Sequence, residues 1–294
     1  MGPRQWEGTI QCGLEQGKKF GIMGSTDQHA GYPGSYGDGR IGVLAESLTR
    51  DKIWDAMKNR HVCCATGDKI NIDFRLNDAF PGDVVRGNSR RIYLNVEGGS
   101  CIDYIDIVKN RKCIARLSGP LLPEMPEGDM VRCKVKIDFG WNREEQYVHW
   151  QGKLSISKGT INAVEPCFRG AAFTSPQPGE PEFETKVNRI VSVTDKDTEL
   201  DMYSSKNPNT TTPAMQAVIL DVTMPKDGMI TAEFNGKKFE HSLGELLEGS
   251  RSHFMIGWLS EAILFNRAMP ESCFMVEHYM EDTEPERDTD YYYI

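Results

Sequence analysis

A strict alternation of apolar and polar side chains, beginning near residue 70, constrains the fold of this chain more than any other feature. In residues 70–76 (INIDFRL), every second side chain from Ile70 to Leu76 is apolar. Residues 131–139 (VRCKVKIDF) show the same period of two. Alternation of this kind is typical of half-buried antiparallel strands, because successive side chains of a strand point to opposite faces.

Further segments with the same pattern predict a large antiparallel β-sandwich over residues 68–294. These segments are residues 90–99, 104–117, 152–157, 161–168, 189–194, 199–205, 217–224, 228–243 and 253–269. A proline-rich polar stretch, residues 171–187, predicts a long connection between strands. Asn235-Gly236 predicts a type I′ hairpin turn, since both central residues of that turn need positive φ. The fold class that we expect is therefore mostly β (α+β).

The last residues carry two different signals. The acidic run EDTEPERDTD, residues 281–290, predicts a solvated loop. The apolar and aromatic residues Tyr291 to Ile294 predict the opening of a strand.

Residues 1–67 have a mixed α/β pattern and predict a small region of their own. Residues 5–17 repeat an apolar side chain every four positions, which indicates a short helix. Phe20 to Met23 predicts a short buried strand, and Ile41 to Ala45 is a second apolar run. The clearest helix follows at residues 49–60.

That helix has a complete set of local signals. Thr49 is placed to cap its N-terminus, and Asp51 lies in its first turn. Ile53, Trp54 and Met57 recur at helical spacing, so we expect them to form its buried face.

Composition excludes several classes of protein. The net charge of −9 argues against a large nucleic-acid surface. No run of 18 apolar residues occurs, so no membrane-spanning helix is predicted. The eight cysteines form no C-x-x-C pair, which indicates buried small side chains in a reducing compartment and favours the cytoplasm.

Asp27 and His29 are the candidate metal ligands. They stand two positions apart in a loop that follows the predicted strand Phe20 to Met23. Aspartate and neutral imidazole bind Zn, Mn or Fe, and this spacing can direct both side chains at one ion. The same spacing is compatible with an Asp that caps a turn beside a hydrogen-bonded His.

The glycine-rich loop that follows, residues 31–40, contains three further candidates. Tyr36, Asp38 and Arg40 are predicted to line a substrate pocket. The loop matches neither G-x-G-x-x-G nor the P-loop, so a nucleotide phosphate cradle is not expected. A purely structural loop is the alternative.

Residues 16–85 resemble the closing segment of a polymerase-and-histidinol-phosphatase (PHP) type metallohydrolase domain. More narrowly, they are similar to a bacterial family of undefined function in which that barrel carries an extra β-rich region. The resemblance implies that Asp27 and His29 are late metal ligands. It also implies that a helix beginning Thr49-Arg50 and a strand ending Ala65-Thr66-Gly67 complete the domain.

The chain departs from the PHP pattern by what it lacks. It contains no His-x-His pair and no histidine before His29. A whole barrel takes roughly 250 residues, and about 67 are available here. The resemblance therefore implies the C-terminal part of a metal-dependent phosphoesterase, with a divalent metal (Mn, Zn or Fe) in the intact site and no appreciable turnover here.

A binding or accessory module is the alternative function. In that case the sandwich recognises a carbohydrate or a protein partner, with Trp141, Trp150 and Trp258 as a stacking platform, although core packing explains the same tryptophans. A purely structural role, buttressing the barrel or forming a dimer interface, is a third hypothesis. The remaining histidines are predicted to be surface or packed residues: His61, His149, His241, His253 and His278.

Overall fold

The computed structural model describes residues 5–26, 34–120, 124–142, 147–169, 186–205 and 215–294. Of these residues, 47% lie in strands and 11% lie in helices. The ladders between its strands are antiparallel. The prediction of a mostly β fold built from antiparallel sheets is confirmed.

Four short helices and nineteen strands are formed by the described residues. After a single 3₁₀ turn at Trp6–Gly8, the helices are α1 (Ile10–Glu15), α2 (Arg50–Lys58), α3 (Leu243–Glu248) and α4 (Glu271–Phe274). The first strands are β1 (Gly39–Val43), β2 (Val62–Thr66), β3 (Asn71–Leu76), β4 (Arg90–Glu97), β5 (Tyr104–Lys109) and β6 (Lys112–Ser118). The next are β7 (Val131–Gly140), β8 (Val148–Ile156), β9 (Thr160–Pro166), β10 (Arg189–Val193), β11 (Asp197–Ser204), β12 (Gln216–Met224), β13 (Met229–Phe234) and β14 (Lys237–Ser242). The last are β15 (Arg251–Phe254), β16 (Ala262–Phe265), β17 (Met269–Pro270), β18 (Met275–Asp282) and β19 (Tyr292–Tyr293).

The chain divides into two compact units. Unit 1 comprises residues 1–25, 39–121 and 273–294, and unit 2 comprises residues 26–38 and 122–272. The boundary expected at residues 67 and 68 falls inside unit 1. The strands expected to form one sandwich are divided between the units, because β18 and β19 pair with β4 and β5 and so complete unit 1.

Unit 1 contains three small sheets. Their strand orders are β1-β2, β18-β4-β3 and β19-β5-β6. Phe74 of β3 is buried with Ile92, Leu94 and Ile107, and Ile72 and Leu76 pack against this cluster. The inward face predicted from the alternation is therefore confirmed for Ile72, Phe74 and Leu76 of β3 and is wrong for Ile70, which is 36% exposed.

The acidic run near the end of unit 1 forms a loop after β18, and residues 283–289 are exposed as predicted, but both ends of the loop are anchored. Lys109, whose side chain is 3% exposed, donates to Asp282 at 2.6 Å and to the carbonyl of Glu284. Asp290, whose side chain is 1% exposed, pairs with Arg90 at 3.1 Å. The solvated loop is thus confirmed, but the acids at its two ends neutralise buried cations, and that pairing cannot be read from local composition. The strand predicted from Tyr291 onward is present as β19.

Unit 2 is built from two antiparallel sheets that share one core. The five-stranded sheet has the order β10-β11-β8-β13-β14. The six-stranded sheet has the order β15-β16-β7-β12-β9, and its sixth strand, β17, also pairs with β7. Buried residues of both sheets and of α3 form a single cluster, in which Phe139 of β7 contacts Trp150 of β8 and Phe234 of β13. The predicted turn is present, since Asn235 and Gly236 have φ of 49° and 75°.

The first 67 residues differ from the predictions in three places, two of them before β1 and one in α2. The helix expected over residues 5–17 is restricted to a 3₁₀ turn and α1. Phe20 to Met23 is not a strand; within the described residues no ladder pairs with it, and Met23 is 60% exposed. An apolar run becomes a strand only where a neighbour supplies ladder hydrogen bonds.

Helix α2 is as predicted at its N-terminus but not on its buried face. The Thr49 hydroxyl accepts a hydrogen bond from the Lys52 amide at 3.4 Å. Ala56 is the buried residue, whereas Trp54 is 55% exposed and carries Lys58 over its ring. Trp54 was wrongly placed in the core because one helical turn of apolar residues does not fix which side faces the protein.

Candidate functional site

The predicted metal ligands Asp27 and His29 lie outside the described residues. The backbone on either side of their segment is described, and it comes together at one point. A Cβ added to Gly39, at the start of β1, would clash with the backbone of Ser25. Glycine at position 39 therefore allows the two ends of the segment to approach each other closely.

Tyr36 and Asp38 lie in unit 2. The Tyr36 amide donates to the Phe168 carbonyl at 2.8 Å, and its ring contacts two cations. Lys136 Nζ is 5.2 Å from the ring centroid, and the Arg169 guanidinium is 5.4 Å from it. The Asp38 amide donates to the Ser35 carbonyl at 3.3 Å, which forms a turn.

Arg40, the third predicted pocket residue, lies on β1 in unit 1. Its Nη2 donates to the carbonyl of Gly67 at 3.0 Å, just after the end of β2. Gly67 has φ of +81°, a backbone conformation that favours glycine. Arg40 therefore stabilises the turn that follows Ala65-Thr66-Gly67.

An open groove of about 520 Å³ lies on the five-stranded sheet of unit 2. Its lining is formed by β8, β10, β11 and β13, together with the Asn235-Gly236 turn. Lys153 of β8 stands directly opposite Glu199 of β11 on one side and Glu233 of β13 on the other. These side chains alternate in charge across three strands, which stabilises the ladder and leaves the groove polar.

A second polar row crosses the groove two residues away. Asp201 of β11 accepts a hydrogen bond from His149 at 2.7 Å and from Arg189 at 2.8 Å. The His149 ring stacks on Tyr203 at a centroid distance of 4.3 Å. Burial raises the pKa of Asp201, but the hydrogen bonds from Arg189 and His149 outweigh burial and hold that pKa below its usual value.

The sequence did not reveal the Asp201 cluster. Its members come from three strands, and only β-ladder register brings them together. His149, expected to be a surface or packed residue, has a specific carboxylate partner. The alternation in residues 148–156 predicts that His149 and Gln151 lie on the same face of a strand. It does not predict which residues of neighbouring strands they meet.

The three tryptophans do not form a common platform. Trp150 is fully buried, and its Nε1 donates to Ser204 Oγ at 2.8 Å. Trp141 is 43% exposed and Trp258 is 81% exposed. Core packing is thus confirmed for Trp150 and is wrong for Trp258, which lies in the β15–β16 loop beside Phe254.

Cysteines and histidines give no larger ligand cluster. Over the described ranges, no group of three or more His, Cys, Asp or Glu side chains is arranged to hold a metal ion. None of the eight cysteines, all of which are described, forms a disulfide, and Cys12, Cys133, Cys167 and Cys273 are buried. The prediction of buried cysteines is wrong for Cys64, Cys101 and Cys113, which are exposed.

No protein-family model, curated protein or solved structure matches this chain. The helices of the described segments are all too short or too polar to cross a membrane.

Proposed function

We propose that this chain carries the late metal-ligating segment of a PHP-like, metal-dependent phosphoesterase. The motif Asp27-Gln28-His29 is the observation that carries the proposal, because its residue types are those that bind a divalent cation. A divalent ion (Mn, Zn or Fe) is the cofactor that such a site uses. It would polarise a phosphoryl oxygen and lower the pKa of a bound water.

Local structure around the motif agrees with this reading. The backbones of Ser25 and Gly39, which flank the segment that carries the motif, lie close together. Strand β1, helix α2 and strand β2 follow in the order that the resemblance implies, with Thr49 at the start of α2 and Gly67 after β2. Binding and catalytic residues are often carried by segments that connect such elements.

Two ligands hold an ion weakly, so we expect weak Mn²⁺ binding and no appreciable hydrolysis of a generic phosphoester. Calorimetric titration with Mn²⁺ tests the first point, with Asp27→Ala and His29→Ala as variants and His278→Ala as the matched control. The proposal is supported if Mn²⁺ binding is lost in Asp27→Ala and His29→Ala and is kept in His278→Ala. Mn²⁺ binding that is unchanged in both variants would reject it.

An assay with a generic phosphoester tests the second point. Turnover that disappears on Asp27→Ala and His29→Ala would show a complete site and contradict the expected inactivity. Turnover that survives both changes would place the chemistry elsewhere and reject the role of these residues.

The groove of unit 2 favours a second function, binding of a polar ligand such as a carbohydrate. Lys153, Glu199 and Glu233 offer charged hydrogen-bonding groups on a rigid sheet, and Gln151 adds an amide. Rigid polar arrays of this kind suit a polyhydroxylated ligand, whose hydroxyl groups both donate and accept. In this function unit 2 is an accessory module.

A glycan array followed by saturation-transfer NMR tests the accessory function. We expect binding to be lost in Lys153→Ala and Glu233→Gln and kept in Lys158→Ala, a lysine outside the groove that pairs with Asp227. Binding that depends on Trp258 and not on Lys153 would move the site to the β15–β16 loop and reject the groove.

A further inference from the structure

Two histidines meet where the two sheets of unit 2 end. His241 lies on β14, the last strand of the five-stranded sheet, and His253 lies on β15, the last strand of the six-stranded sheet. Their Nε2 atoms are 2.7 Å apart, and their ring planes are 21° apart. The sequence separates them by twelve residues and gives no sign that they touch.

The surroundings fix both rings. His253 stacks on Phe239 at a centroid distance of 4.4 Å, and both histidines meet Phe265 edge-on. The His241 side chain is 13% exposed, so the pair is largely buried but retains some contact with solvent. Aromatic packing therefore orients the two imidazoles before any ligand arrives.

The short distance between the facing nitrogens restricts the protonation states of the pair. Two neutral imidazoles can share one N–H between their facing nitrogens, while two imidazolium rings cannot face each other at this distance. Burial lowers the pKa of both histidines, and Arg251 adds to this effect for His241, whereas Glu245 opposes it. When both rings carry their proton on Nδ1, the two Nε2 lone pairs face one position.

We propose that His241 and His253 form a two-imidazole transition-metal site that joins the two sheets of unit 2. Imidazole nitrogens bind Cu²⁺, Ni²⁺ and Zn²⁺, with Cu²⁺ the most strongly held. Metal–nitrogen distances near 2.0–2.1 Å require the two nitrogens to separate by a few tenths of an ångström and the rings to turn toward solvent. Water completes the coordination there.

Glu245 acts as the outer partner of this site. Its Oε2 is 3.8 Å from His241 Nδ1, the ring nitrogen that faces away from the ion. The amide and hydroxyl of Ser242 also hold the same oxygen in place, at 2.8 Å and 3.1 Å. At 3.8 Å the carboxylate acts through its charge, which opposes the lowering of the His241 pKa and so increases the basicity of that imidazole.

Titration with CuCl₂ at pH 7.5, followed by calorimetry and thermal unfolding, tests the proposal. The His29→Ala background separates this site from the segment of Asp27, so either proposal can fail alone. We expect one saturable equivalent and a higher unfolding temperature, because the ion binds only the folded unit. Both effects should be lost in His241→Ala and His253→Ala and kept in His278→Ala. Glu245→Gln should weaken binding about tenfold.

Electron paramagnetic resonance of the Cu²⁺ complex keeps the test decisive if an alanine variant does not fold. Two nitrogen ligands are expected in the unaltered protein. One nitrogen or none, or stoichiometric binding that survives His253→Ala, would overturn the proposal, as would the absence of saturable binding.

Discussion

Trp150 Nε1 donates to Ser204 Oγ at 2.8 Å inside the core of unit 2, and that hydroxyl in turn donates to Asn142 Oδ1 at 2.6 Å. Asn142 Nδ2 donates back to the Ser204 carbonyl at 3.0 Å. The largest buried side chain of the unit is therefore tied to a closed polar network. Buried polar groups are tolerated only when they are paired in this way.

Replacing Trp150 by Phe should destabilise unit 2 by about 1–3 kcal/mol, since the buried Ser204 hydroxyl loses its donor. Denaturant unfolding of the variant measures the loss. Trp258→Phe is the control and should change the free energy of unfolding by less than about 0.5 kcal/mol, because Trp258 is 81% exposed. Equal effects of the two changes would contradict the assigned burial.

Gly236→Ala should destabilise the β13–β14 hairpin by about 1 kcal/mol, because φ of +75° is unfavourable for any residue with a Cβ. No atom lies within 4 Å of the added Cβ, so steric contact contributes nothing. Gly257→Ala is the matched control, since it has equal space and no positive φ. If Gly257→Ala lowers the stability measured by thermal unfolding as much as Gly236→Ala does, the backbone conformation of Gly236 is not the cause of the loss.

Unit 1 should lose stability in acid through Asp282. Burial raises the pKa of Asp282, but hydrogen bonds from Lys109 and Tyr292 outweigh burial and lower it. A lowered carboxyl pKa contributes stability above the unfolded value, near 3.9, and this contribution is lost as the pH falls below it. The unfolding free energy measured from pH 6 to pH 2 should decline less in Asp282→Asn. If the unfolding free energy declines equally in Asp282→Asn and in the unaltered protein, other acids cause the loss of stability.

The histidine pair should make unit 2 sensitive to mild acid in the absence of metal. Because the folded pKa values of His241 and His253 are lowered, protons favour the unfolded state. Stability is then complete above the unfolded histidine pKa, near 6.5, and falls as the pH drops below it. His253→Phe keeps the stacking on Phe239. In this variant the unfolding temperature should change less between pH 7 and pH 5 than it does in the unaltered protein. An unchanged slope would exclude the pair as the cause.

Local signals predicted the elements whose cause is local. The inward face of β3, the Thr49 cap and the Asn235-Gly236 turn each depend on a few neighbouring residues, and all three are present. Phe20 to Met23 was wrongly taken as a strand because strand formation depends on a distant partner. Trp54 was misplaced for the same reason, since the protein side of a helix is chosen by tertiary contacts.

The candidate sites show the same limit more sharply. Asp201 with His149, and His241 with His253, are assembled by strands that meet only in the folded unit. Neither spacing nor residue type distinguishes these histidines in the sequence from His278. Asp27 and His29 could be proposed because they stand two positions apart in the chain, and their role as ligands stays a prediction.

The return of β18 and β19 to β4 and β5 has a consequence for biosynthesis. All of residues 122–272 is translated before those two strands, so unit 2 can fold on the ribosome while unit 1 still lacks an edge of two sheets. During that interval β4 and β5 expose unpaired backbone groups, which are sites for mispairing. The nascent chain is therefore most prone to mispairing late in its synthesis. Chaperone binding in that interval should be directed at β4 and β5.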